Sequence, residues 1–171
     1  NILGTIKLLE KTTGLKVIGI KSLAKKIIDK STVKIDVILS YAHSCLINNK
    51  FETIIPYLQN KEIGIINASP LCMGLLSTNP VPEWHPSSKE MQKYINEESL
   101  ILYSKYNVNI EDVALIYSLM NNNISTTLTG IKNIEEINKL VSILNNDITI
   151  TNEIFDYISD KFKKYNNIEF E

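Results

Sequence analysis

Apolar and polar positions alternate along this chain in short blocks with two different periods. Ile2, Leu3, Ile6 and Leu9 recur at helical spacing, so residues 2–11 predict a short amphipathic helix that Gly14 ends. Leu15-Lys16-Val17-Ile18-Gly19-Ile20 predicts a strand, and residues 22–30 a helix. Residues 35–41 predict a second strand. Residues 51–60 predict a helix burying Ile54, Ile55 and Leu58, kinked or shortened by Pro56. Residues 63–67 predict a third strand. An irregular stretch from Ser69 to Ser87 holds four of the five prolines. Ser87 with Glu90 reads as a capping box for a helix to Tyr106. Asn109 with Asp112 caps another helix, to Asn121. Residues 125–129 predict a fourth strand. Asn133 with Glu136 caps a helix to Leu144, and Thr151 opens a last one through Lys164.

Short apolar strands separated by helices argue for parallel βα units with both sheet faces covered. The expectation is a single α/β domain over residues 1–171, with about four βα units plus a C-terminal helix. Four such units make half of an eight-stranded barrel; a complete small open sheet fits the same periodicity. Open edges are expected at 15–20 and 125–129, and open edges invite pairing.

Composition narrows the function classes. The net charge of -1 gives no electrostatic case for nucleic acid or an anionic membrane surface. No apolar run reaches the roughly 18 residues that span a bilayer. All 18 basic residues are lysine, so no planar bidentate clamp for phosphate comes from this chain. Cys45 and Cys72 lack metal-ligand or CxxC spacing and read as buried thiols of a reduced, intracellular and by default cytoplasmic protein. The chain begins at Asn1 inside a segment that already reads as helix, so a preceding segment is expected.

Chemistry-bearing side chains are few. Tyr41 ends a strand but reads as a packed aromatic. His43 and Cys45 lack partners for a metal. Trp84 and His85 lie in the proline-rich stretch, where a loop anchored by its own tryptophan is favoured over a substrate lid. Ser69 has no nucleophile frame. Asp156 and Asp160 read as surface charge.

The segment Ile63-Gly64-Ile65-Ile66-Asn67-Ala68-Ser69-Pro70-Leu71-Cys72-Met73-Gly74-Leu75-Leu76 resembles the seventh-strand motif of the aldo-keto reductases. Asn67-Ala68-Ser69-Pro70-Leu71 and Pro82-Glu83-Trp84-His85-Pro86 are similar to the L-galactose and D-arabinose dehydrogenase branch. Residues 37–43 and 114–119 match it as well. The resemblance runs from about Leu3 to Phe162 and implies the C-terminal half of a (β/α)8 barrel. It places Ser69, Leu71, Gly74 and Leu75 at the positions that cradle a nicotinamide dinucleotide's pyrophosphate. Gly130, Lys132 and Asn133 occupy the adenosine-phosphate position, before a helix N-terminus.

The resemblance thus implies NAD or NADP as cofactor, an aldose substrate and lactone formation. Without arginine, NAD is favoured. Ala68, Lys21-Ser22 and Leu39 depart from common family residues. Lys139-Leu140 replaces an adenine-reading pair, which opens the alternative of a degenerate barrel kept as a structural subunit. The family's catalytic Asp, Tyr, Lys and His belong to the first four strands, so no catalytic residue is assigned here. The implied partner is an N-terminal half barrel, its own or another chain's.

Overall fold

A computed structural model describes residues 20–168. The helix expected at 2–11 and nearly all of the strand expected at 15–20 lie outside them. By backbone contacts the chain divides into two compact units, 1–36 and 37–171. In the first, α1 spans Ile20–Lys30 and carries Lys30 in its last turn, where a cation complements the helix dipole.

The second unit is built on three parallel strands, β1 (Val37–Tyr41), β2 (Gly64–Ala68) and β3 (Thr126–Leu128), in that order. Leu39 pairs with Ile66, which pairs in turn with Thr126, and Tyr41 pairs with Ala68, which pairs in turn with Leu128. Between β1 and β2, a 3-10 turn (Lys50–Ile54) leads into α2 (Ile55–Asn60), with Pro56 in its first turn. A missing N–H costs nothing there. Proline therefore starts this helix rather than kinking a longer one. Ile54, Ile55 and Leu58 are buried as expected.

Between β2 and β3 lie α3 (Lys89–Tyr106) and α4 (Ile110–Leu119); α5 (Ile134–Leu144) and α6 (Asn152–Phe162) follow β3. The cap of α3 is Ser88, which accepts from the Met91 N–H, so the box expected at Ser87 moves one residue. The box at Asn109 is half formed. Its side chain makes no cap bond, while the Asp112 carboxylate receives a backbone hydrogen bond from Asn109. Asn133 caps α5 as expected, accepting from the Glu136 N–H at 2.9 Å. Thr151 makes no side-chain cap. Leu102, Ile110, Val113, Ile158 and Phe162 form the centre of the apolar core, between α3, α4 and α6.

Pairing places alternate residues on two faces. On one face Ser40, Ile65 and Asn67 are buried, and α2 packs on β2. The other carries Val37, Leu39 and Tyr41, which are 52%, 47% and 44% exposed, and Leu128, also exposed. Full coverage of both faces was the expectation; among the described residues helices bury only one. Tyr41, expected to be packed, lies on the uncovered face.

Candidate functional site

Neighbouring parallel strands deliver their following loops to the same sheet edge. The segment after β2 and the segment after β3 therefore sit side by side at the carboxyl edge, where the sequence places its two groups of candidate residues.

The turn after β2 is held in an unusual conformation. Ser69, Cys72 and Met73 have φ of 64°, 48° and 58°, and Gly74 has 92°. Left-handed backbone costs an L-residue roughly 1–2 kcal/mol, so local bonds must hold it. Ser69 supplies one: its Oγ accepts from the Met73 N–H at 2.7 Å. The Cys72 N–H donates to Ser69 O, and those of Gly74 and Leu76 to Leu71 O. The Leu75 N–H donates to Cys72 O, and Leu75 itself is buried. These bonds leave the Leu71 N–H without a partner within the turn, whereas the Ser69 N–H lies where the parallel pairing of Ala68 with Leu128 continues. Gly74 and Leu75 shape the turn.

Two expected outcomes follow. Ser69→Ala removes the bond to Met73 and should lower stability by about 1 kcal/mol, read as a shifted urea midpoint at unchanged slope. Gly74→Ala puts a Cβ 3.4 Å from Pro82 Cδ, which is tolerable contact. The strain at φ 92° remains, and a loss of about 1–2 kcal/mol is expected in the same experiment.

The loop after β3 is open. Gly130, Lys132 and Asn133 are exposed, and nothing lies within 4 Å of a Cβ built on Gly130. The N-terminus of α5 is already occupied by its own residues. Asn133 caps it, and the Glu136 carboxylate accepts from the Lys132 N–H at 2.8 Å. A carboxylate of the chain thus stands where an anionic ligand is expected.

The proline-rich stretch is anchored by histidine, not tryptophan. Trp84 is 67% exposed and His85 only 5%. The Nε2 of His85 lies 3.0 Å from the Cys72 carbonyl, and its Nδ1 accepts from the Ser87 N–H at 3.0 Å. That pattern fits the neutral ring protonated on Nε2. Burial holds its pKa below the ordinary value, against the bond to Cys72. His85 thus ties the stretch to the left-handed turn.

A second tie lay hidden from sequence reasoning. Glu111 Oε1 accepts from Thr78 Oγ1 at 2.9 Å and from Lys139 Nζ at 3.3 Å. The same ammonium lies 3.0 Å from Asp112 Oδ1. Residues of the loop, α4 and α5 meet in this cluster. Burial drives the Asp112 carboxyl above its usual range despite Lys139. Burial pulls Lys139 down, but its carboxylate partners prevail and leave it raised. The signal in the sequence is Lys139 itself, which stands in place of a residue of the family's adenine-reading pair.

Cys45 and Cys72 are free and buried, as expected; the hydrogen bond to Cys45 and burial push the Cys72 thiol far up. Cys72 is therefore a protonated, inert thiol at neutral pH. His43 faces Asn48, with Nδ1 and Nδ2 3.1 Å apart. Asp156 and Asp160 are exposed. Among the described residues no group of three potential metal ligands forms, and no helix is long and apolar enough to cross a membrane. A cleft of about 650 Å³ lies among α2, α4 and α6; Asp156 lines it, and none of the residues at the cofactor positions does.

Residues 2–162 match the model of the aldo/keto reductase family. L-galactose dehydrogenase from Arabidopsis thaliana is 40% identical over 99 residues, 58% of this chain and 31% of that protein. The holo form of aldo-keto reductase AKR11C1 from Bacillus halodurans superposes with a TM-score of 0.58 at 19% identity, covering 88% of this chain and 49% of that one. The glycerol dehydrogenase AKR11B4 from Gluconobacter oxydans gives 0.55 at 15% identity, covering 79% and 44%. The chain thus spans half the length, or less, of these relatives.

Proposed function

The chain belongs to the aldo/keto reductase family, and on that premise we propose that it forms the cofactor-holding half of an oxidoreductase that takes an aldose such as L-galactose or D-arabinose to its lactone, with NAD preferred over NADP. The observation that carries this reading is the left-handed turn at 69–74. The Leu71 N–H, unbonded within the turn, and the Ser69 hydroxyl are the kind of donors that hold a pyrophosphate. Gly130 leaves open backbone beside it. The residues present fit a dinucleotide's phosphates at this edge. They offer lysine but no guanidinium for a 2′-phosphate, which favours NAD.

A nicotinamide held here would supply a hydride acceptor for the sugar's anomeric carbon. The chain's own contribution is binding and orientation. Ser69, through its hydroxyl, and Leu71, through its N–H, would hold phosphate oxygens, and His85 keeps the turn in place. The proton acceptor belongs to strands outside these residues.

A second reading rests on Lys139 and Glu136. Both stand at the adenosine end and both are engaged internally. They favour a barrel kept as a structural subunit without cofactor.

Saturation-transfer NMR of the chain with NADH and with ADP-ribose separates the two. Transfer to the adenosine protons of both, lost in Gly74→Val, supports the enzymatic reading. No transfer to either ligand at millimolar concentration leaves the structural reading.

A further inference from the structure

We infer that the cleft among α2, α4 and α6 binds a small primary alkylamine in its ammonium form. The inference does not rest on cofactor binding. At about 650 Å³ the cleft has the size of a small-molecule pocket.

Charge supplies the first observation. Glu52, in the turn that leads into α2, and Asp156, on α6, bring two carboxylates to the walls. The chain has 18 lysines, yet neither lysine nor histidine stands among the described residues that line the cleft. Among the described residues neither carboxylate has an ion-pair partner. A concave surface with charge of one sign concentrates ions of the other.

The rings supply the second. Tyr117 and Phe155 line the same cleft, with centroids 6.4 Å apart and planes inclined by 58°. An ammonium is attracted to the faces of such rings, and an alkyl stem loses contact with water against them. Burial, and then the Glu52 charge, hold the Tyr117 phenol above its ordinary pKa. It therefore stays a neutral hydroxyl that can accept from an ammonium.

The polar groups separate an amine from a sugar. Three lining amides already have their acceptors engaged. Asn123 Oδ1 accepts from Gln59 Nε2 at 2.9 Å, Asn121 Oδ1 from the Asn123 N–H at 3.1 Å, and Asn49 Oδ1 from Asn167 Nδ2 at 2.7 Å. The two carboxylates are not engaged in this way. Ser118 closes the floor of the cleft, 2% exposed, and its Oγ has no hydrogen-bond partner. Turning that hydroxyl toward a donor breaks no existing bond. A primary ammonium brings donors and no acceptor, which matches this set. A quaternary ammonium brings no donor, and a sugar brings no charge.

An amide-correlation NMR titration of the 171-residue chain reads both affinity and place. The probes are n-pentylamine, n-pentanol, tetramethylammonium and D-galactose. The expected result is that n-pentylamine shifts the amides of Glu52, Tyr117, Ser118 and Phe155. Pentanol keeps the alkyl body without the charge and should bind at least tenfold more weakly. Glu52→Gln and Asp156→Asn should each weaken the amine threefold or more and leave pentanol unchanged. Neither carboxylate is buried, so both variants should keep the wild-type amide spectrum elsewhere. Equal binding of pentanol would overturn the inference in favour of a merely apolar cleft. Tetramethylammonium binding as tightly as the amine would overturn the assignment to a primary ammonium. Shifts from D-galactose alone, or none from the amine in large excess, would overturn it outright.

Discussion

Lys139→Met should cost about 3 kcal/mol of stability, toward the low end for breaking a buried ion pair because Lys139 keeps some contact with water. The carboxylates explain why. Asp112 Oδ1 and Glu111 Oε2 are buried without a hydrogen-bond partner, so the ammonium is their principal compensation. The Asp112 pKa is raised by burial even with Lys139 in place. A raised folded-state pKa stabilises below the unfolded value, and that contribution is lost as pH rises through the folded value. At neutral pH the ionised Asp112 is therefore already a net cost, and removing the cation enlarges it. Asp112→Asn in the Lys139→Met background should recover much of the loss. Urea denaturation of wild type, single and double variants measures this. A Lys139→Met midpoint equal to wild type would mean that water replaces the ammonium and the cluster is not closed.

His85→Leu is the second large effect, about 2 kcal/mol, because the Ser87 N–H is left buried without a partner and the Cys72 carbonyl keeps only the Leu75 N–H. The Ser87 hydroxyl, 2.7 Å from Nδ1, loses its contact as well. A pH signature accompanies it. The folded-state pKa of His85 is lowered, so its contribution is present above the unfolded value near 6.5 and is lost as pH falls through the folded value. Acid must place a proton on Nδ1, against the Ser87 N–H. Wild type should lose thermal stability below about pH 6.5, and His85→Leu should lack that component. Parallel pH curves for the two proteins would refute the assignment.

What the sequence revealed was what neighbouring residues decide. Asn133 caps α5 because a side chain three positions from Glu136 finds that N–H whatever surrounds it. The strands expected at 35–41 and 63–67 were equally legible, as short apolar runs rich in β-branched residues. So was the turn chemistry at Ser69 to Gly74, through the resemblance of its motif. Contacts made across the fold were not. Trp84 looked like the loop's anchor by size, yet His85 has two ring nitrogens to satisfy and the shape to reach Cys72. Lys139 could be read only as a departure from a family pair, since its carboxylates lie 27 and 28 residues away in sequence. Apolar residues on both sides of β1 led to the expectation of cover for both faces. They do not say that the described helices provide only one.

That one-sided sheet also sets the kinetics of making the protein. Covering the face of β1 from within one molecule is a first-order event, independent of concentration. Meeting another unfinished molecule is second order, and exposed apolar sheet surface is what such encounters feed on. Dilution and slow synthesis favour the first route, and crowding of nascent chains favours the second. The Val37–Leu39–Tyr41 row is thus where correct closure and aggregation compete for the same surface.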